Sequence, residues 1–360
     1  MSHVLAVRDG IPRFAARLRA GLPATIVAYG TSMTLIGQYL AGLPSALEAE
    51  VPEARVELVN RGLRGFVSFH AAFRVAEDVL PSAPDLVLIE FAHNESMPDA
   101  IENIPPSVDG IITQVRAVYP DCEFAFVLLA QAGAANAGPS AAMRTYQEIA
   151  GYYRFPSFDL ATLSEALVAA GRASWTGERS LTTDGIHHAD LARDLIGGPF
   201  AAAFIELLRA SDHAIRTPRA VLDYSLARTA VGNVLSAPTS GRWSSGVPPN
   251  PAVRNSEAYH EIVAAPLERG ATFQIPFEGT QIFLWMMGTG EIETSIVGSG
   301  FHHRVRSGSA WQWTFHEISP ILPTGPHVLQ CVVIELPLLI GDIFVIGRML
   351  GGTEAPGVVK

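Results

Sequence analysis

The chain has 360 residues, 48% of them hydrophobic, and a net charge of −10. That apolar share excludes a disordered chain, and the length favours two domains over one. The negative balance argues against a nucleic-acid partner, which needs a basic face. The longest apolar runs are strand-sized and interrupted, so no membrane span is predicted. The start, Met1 to Asp9, lacks the charged opening and long apolar centre of a signal peptide. Cytoplasm is therefore the default location, with non-classical export as the other route. Cys122 and Cys331 fall in separate apolar strand patterns and read as buried thiols. No CxxC or His-rich ligand spacing occurs.

Ile11 to Ala20 reads as a short surface helix. Ala24 to Gly30 follows as a buried strand, with Ile26, Val27, Ala28 and Tyr29 uninterrupted by charge. Gly30 breaks it, Ser32 comes two residues later, and Leu35, Ile36, Tyr39, Leu40 and Leu43 predict a helix over 33–48. This order puts a hydroxyl at the carboxyl edge of a parallel sheet, where open α/β sheets keep their sites. Ser32 could equally be a helix N-cap. A second strand, 55–59, ends in Asn60-Arg-Gly-Leu-Arg-Gly65, whose glycines allow a tight turn and close backbone approach. No GxGxxG and no following Lys-Ser/Thr pair make it a nucleotide loop.

Ser68 to Leu80 is helical, and Asp85 to Phe91 is apolar on both faces, as a central parallel strand requires. It runs into Ala92-His-Asn-Glu95. Asn94 there is either a turn residue or an amide donor for an oxyanion. Val108 to Val118 is a helix, Glu123 to Ala130 a strand, Ser140 to Tyr152 a helix, 156–160 a short edge strand, and 160–170 a helix. The alternation predicts a doubly wound, flavodoxin-like parallel sheet of about five strands over residues 1–212. Right-handed crossovers place the strand ends on one rim.

Leu181 to Asp190 follows, then an apolar helix to about Leu208. Asp184 and His187 lie three apart across Gly185, so the carboxylate can fix the imidazole tautomer and leave the other nitrogen as a base. The alternatives are an Asp turn, or a metal cluster of Asp184, His187, His188 and Asp190, for which no further ligands appear. After about Arg216 helical periodicity stops. Short β-rich runs at 280–287, 292–297, 311–315, 328–335 and 342–346 predict a β-sandwich or jelly roll of about eight strands over 217–360. Thr239 to Pro251 reads as a Ser/Pro/Gly loop within it. Trp311 and Trp313 share a strand face that either stacks on sugar or fills the core, and the same predicted sandwich carries Trp285.

Four stretches in order resemble the SGNH (GDSL-like) hydrolases: Gly30-Thr31-Ser32, Asn60 to Gly65, Ala92-His93-Asn94-Glu95, and Asp184-Gly-Ile-His187. The resemblance covers about residues 23–210. It implies Ser32 as nucleophile, His187 as base and Asp184 as the orienting acid. It also implies an oxyanion hole from the Ser32 and Gly65 N–H groups and the Asn94 side chain, with no metal or organic cofactor. Thr31 and Glu95 stand where the family has aspartates without a chemical role. Ala92 replaces a glycine, which narrows the rim near the oxyanion. No Gly-x-Ser-x-Gly elbow occurs, which argues against the ordinary α/β-hydrolase fold. Jelly-roll domains accompany such esterases among carbohydrate-active enzymes. The implied activity is hydrolysis of a small acyl ester, acetyl on a sugar. The same residues would serve a lipid esterase or an acyltransferase, and a silent hydrolase domain would leave a glycan-binding protein.

Overall fold

The computed structural model describes residues 4–95, 101–132, 140–211, 224, 226–230, 239–246, 263–308 and 314–349. The chain divides into two compact units, Met1–Ser225 and Leu226–Lys360.

The first unit opens with β1 (Leu5–Ala6) and α1 (Pro12–Arg19), followed by β2 (Ala24–Gly30) and α2 (Ser32–Ile36). Next come α3 (Leu43–Glu50), β3 (Val56–Gly62), α4 (Ser68–Asp78) and β4 (Leu86–Glu90). Then α5 (Ile104–Val118), β5 (Glu123–Leu128), α6 (Ala141–Tyr153), β6 (Ser157–Asp159), α7 (Leu160–Ala169) and α8 (Gly198–Ala210) complete it. The sheet has six strands in the order β1-β6-β5-β4-β2-β3. The five from β2 to β6 are parallel, and β1 pairs antiparallel with β6. The 156–160 strand is therefore internal, because two residues near the N-terminus cover its outer side. In the order of the parallel strands, the chain reverses direction between β2 and β4. That is the switch point at which doubly wound sheets open a crevice beyond their carboxyl ends.

Sequence periodicity explains the core. Every residue of β4 and β5 is buried, as expected of strands covered on both faces. The helix predicted over 33–48 is instead three pieces. Gly37 takes a left-handed conformation (φ 73°) and ends α2, a 3₁₀ turn spans Gln38–Leu40, and Pro44 in the first turn restarts the chain as α3. Tyr39, Leu40 and Leu43 are buried as their pattern requires, whereas Ile36 is exposed. No helix among the described residues is long and apolar enough to cross a membrane.

The second unit holds a ten-stranded antiparallel sheet among the described residues. Its strands are β7 (Ala227–Ala230), β8 (Thr239–Ser240), β9 (Trp243–Gly246), β10 (Val263–Pro266), β11 (Thr272–Gly288), β12 (Glu291–Ile296), β13 (His302–Arg306), β14 (Thr314–Glu317), β15 (Gly325–Glu335) and β16 (Leu338–Met349). The long β11 pairs with β15 over Thr272–Gly279 and with β14 over Phe283–Met286, so it exchanges neighbours near Gly279. Gly279 faces Gly347 at that point, and a Cβ on Gly279 would lie 2.1 Å from the Ile346 carbonyl. Burial along β11 alternates up to Thr280 and is continuous from Gln281 to Gly288. The stretch read as a loop from Thr239 contains β8 and β9, strands too short to show a period. Trp285 is buried, so it is not a sugar platform. Trp311 and Trp313 lie outside the described residues.

Candidate active site

Parallel pairing levels the ends of β2, β3 and β4: Gly30 lies opposite both Gly62 and Glu90. Side chains are excluded at two of these ends. A Cβ on Gly30 would come within 2.2 Å of Thr34 Oγ1, and one on Gly62 within 2.0 Å of the Leu35 nitrogen. Glycine thus lets α2 start directly against the strand ends.

At the first turn of α2 the cap is Thr31, whose Oγ1 accepts from Met33 N–H at 3.2 Å. Ser32 is therefore not the N-cap, and its hydroxyl is left for another partner. That partner is His187, with Nε2 2.9 Å from Ser32 Oγ. His187 Nδ1 lies 2.6 Å from Asp184 Oδ2. A carboxylate only accepts, so Nδ1 carries the proton and Nε2 is left as an acceptor facing the hydroxyl. Asp184 is well prepared for this. Its side chain takes the imidazole N–H, and Oδ1 takes the backbone N–H groups of His187 at 2.8 Å and Ile186 at 3.0 Å. These bonds hold its pKa down at about 2, the imidazole contributing most.

The Asp184–His187 turn is fixed from two sides. Gly185 has φ +91°, and its carbonyl accepts from Ala132 N–H at 2.7 Å just beyond β5. Thr183 N–H donates to the His187 carbonyl at 2.8 Å. Beyond the turn, Gln38 Nε2 donates to Asp190 Oδ1 at 3.0 Å, and Arg193 Nε donates to Gln38 Oε1 at 3.1 Å. Of the four residues considered as a metal cluster, Asp184 and His187 pair with each other and the other two turn elsewhere. Asp190 turns to Gln38, while His188 is buried and pairs by backbone with Thr182. Burial lowers the His188 pKa to about 4, with Glu90 opposing and His93 and His187 adding to the shift.

The other candidate residues lie on loops after β3 and β4. Asn60 Nδ2 donates to the Thr34 carbonyl at 2.6 Å and its Oδ1 accepts from Gly62 N–H at 2.9 Å, so this asparagine ties β3 to α2. Leu63 N–H donates to the Gly30 carbonyl at 2.8 Å. Gly65 has φ +70°, with open space where a side chain would be. Asn94 N–H closes a turn on the Phe91 carbonyl at 3.1 Å, and its Nδ2 donates to the Phe66 carbonyl at 2.8 Å. One amide hydrogen therefore joins the Gly65 and Asn94 loops. Ala92 is buried. Glu95 is buried too, and takes Ser68 N–H at 2.9 Å and the Tyr146 hydroxyl at 3.1 Å. Burial, its main influence, raises its pKa.

Glu90 was not picked out by the sequence reading. It ends an otherwise apolar strand and is fully buried among Thr31, Thr34 and His93. Its signal was a single acidic residue inside a run that periodicity assigns to the core.

No protein-family model and no curated protein matches the chain. Solved structures do. A two-domain esterase active on acetylated mannans (CEX) aligns with a TM-score of 0.75 at 17% identity, over 98% of this chain and 99% of that one. A catalytic mutant of Axe2, an acetylxylan esterase from Geobacillus stearothermophilus, aligns at a TM-score of 0.41 and 15% identity, over 51% of this chain and 94% of that one. A putative GDSL-like lipase from Parabacteroides merdae aligns at 0.41 and 14% identity, over 52% and 95%. The chain has the fold of the two-domain esterase through both of its units.

Proposed function

We propose that this chain is a serine esterase that removes a small acyl group, acetyl, from a carbohydrate. The observation that carries this reading is the continuous relay from Asp184 through His187 to Ser32, at 2.6 and 2.9 Å. It stands beyond the carboxyl ends of the sheet, where a substrate can reach it.

In this reading His187 Nε2 takes the Ser32 proton as Oγ attacks the ester carbonyl. Asp184 stays ionised and stabilises the imidazolium that forms. The carbonyl oxygen becomes an oxyanion and is met by the Ser32 and Gly65 N–H groups and the Asn94 amide. His187 then hands its proton to the leaving alcohol. A water attacks the acyl-enzyme with His187 again as base, which releases the acid and restores Ser32. The Ser32 proton leaves with the alcohol, and a proton of the attacking water passes through His187 back to Ser32, so the scheme balances with ester and water alone.

The carbohydrate part rests on a different observation. The similarity to the esterase active on acetylated mannans runs through both units, not through the α/β unit alone. A lipid esterase would share the relay but gives no reason for the second unit.

Ser32→Ala tests the reading on two substrates, an activated acetyl ester and an acetylated manno-oligosaccharide. The expected result is a loss of about 10⁴-fold or more on both. A fluorophosphonate should label the wild type at Ser32. Retention of most of the rate in Ser32→Ala would remove Ser32 from the chemistry. Hydrolysis of the activated ester with none of the oligosaccharide would leave the esterase and discard the sugar.

A further inference from the structure

Glu90 is the last residue of β4, and its side chain is wholly buried. A buried carboxylate costs several kcal/mol unless donors surround it. Donors do surround it. Glu90 Oε2 accepts from Thr31 N–H at 3.2 Å, Thr31 Oγ1–H at 2.9 Å and Thr34 Oγ1–H at 2.8 Å. Oε1 lies 2.9 Å from His93 Nδ1, itself buried. The Glu90 backbone carbonyl shares the Thr31 N–H at 3.1 Å.

The placement of these donors is what matters. Thr31 immediately precedes Ser32, and Thr34 lies two residues after it. His93 immediately precedes Asn94. The Thr31 hydroxyl is already an acceptor for Met33 N–H, so its own hydrogen is committed to Glu90. One side chain thereby grips the turn that carries the hydroxyl and the loop that carries the amide. None of its bonds reaches Ser32, His187 or Asp184, and its burial keeps it away from a substrate.

We infer that Glu90 is a positioning residue, whose carboxylate fixes the Ser32 turn and the Asn94 loop in a single relative geometry. This rests on the serine-esterase reading above. A misplacement of about 1 Å at a reacting group is enough to cost about 10²-fold in rate. Gln in place of Glu keeps the size but supplies one acceptor oxygen for two groups of donors. If that oxygen stays on the threonines, the amide N–H₂ meets His93 Nδ1, which must then give up its hydrogen.

The test is Glu90→Gln in the full chain, read by kcat, KM and the rate of fluorophosphonate labelling at Ser32. We expect kcat and labelling to fall together by about 10²-fold, with KM within about twofold. Thr34→Val, which keeps shape and loses the hydroxyl, should fall in the same sense by less. Thr34→Ser should recover most of that loss. A merely structural role would lower the melting temperature and leave kcat and labelling unchanged below it. If Glu90→Gln does not fold, the Thr34 pair decides the matter: equal kinetics for Val and Ser at position 34 would overturn the inference. Wild-type kinetics in folded Glu90→Gln would overturn it too. Ser32→Ala separates the two levels. An active, unlabelled Ser32→Ala sinks the serine-nucleophile reading on which the inference rests, while an inert one beside a fully active Glu90→Gln sinks only the role of Glu90.

Discussion

His188 adjoins His187 in sequence but is buried, and its Nδ1 has no hydrogen-bond partner among the described residues. Replacing it with Gln should make the first unit less sensitive to acid. In the folded chain its pKa is about 4, lowered chiefly by burial. In the unfolded chain it is about 6.5. Between these values the unfolded state binds the extra proton and the folded state does not. Stability therefore rises with pH across this window: the neutral imidazole's contribution is complete above about 6.5 and is lost progressively as pH falls toward 4. The whole gap corresponds to roughly 3 kcal/mol, and about 2 kcal/mol of it lies between about pH 7.5 and 4.5. His70, also buried, is lowered to about 3 and acts in the same sense, but it is present in both proteins and cancels. The assay is urea unfolding at the two pH values, followed by far-ultraviolet circular dichroism. Every described helix lies in the first unit, so this signal reports on it. Packing losses from the substitution cancel as well, because each protein is compared with itself. The wild type should lose about 2 kcal/mol more on acidification than the variant. Equal losses would refute the assignment of a buried neutral imidazole at 188.

Asn94→Ala should lower kcat by about 10²–10³-fold with KM nearly unchanged if its amide meets the oxyanion, whereas a turn role alone would reduce melting temperature and spare kcat; steady-state kinetics with thermal melts decides. Arg74→Met should destabilise by about 3–5 kcal/mol, because the Arg74 Nε and Nη2 bonds to Asp78 at 2.9 and 3.0 Å are lost and a buried carboxylate is stranded. Adding Asp78→Asn should restore much of that in urea titrations, and failure to do so would discount the pair. A chain ending at Ser225 should melt about 2–4 °C above one ending at Ser211. The reason is that Tyr224 packs at 5.4 Å from the Phe69 ring and fills the space above Gly110; identical melts would show that Tyr224 adds nothing.

Most of the α/β unit was legible because its signals are local. β4 and β5 are continuous apolar runs, and α5 keeps its apolar period for four turns. What escaped was structure set by single backbone positions or by pairing alone. Gly37 inside a helical pattern reads as a tolerated glycine, yet its left-handed conformation ends α2 and aims the next turn at Arg193 through Gln38. β1 is two residues long and exists only because β6 offers it an edge. β8 and β9 are legible only as partners of β11 and β10. Strand alternation predicts one wet face, but from Gln281 onward β11 is covered on both faces, and Trp285 is buried there.

The candidate site divides along the same line. Ser32, Asn94, Asp184 and His187 each follow a strand or sit in a turn, in a motif short enough to see. Their support does not. Thr31 and Thr34 flank Ser32 in sequence, but what holds them is a carboxylate from a strand that begins more than fifty residues later. Nothing in the order of residues tells a reader that these groups meet. The one usable clue is physical: a Glu inside a run that must be buried cannot stay there unpaired. Searching such a run for its missing donors leads to hydroxyls just beyond a neighbouring strand end, and here both neighbours of Gly30 in the sheet end beside the Ser32 turn. A buried carboxylate at the end of a central strand is thus a pointer to the site in its own right, independent of any motif around the serine.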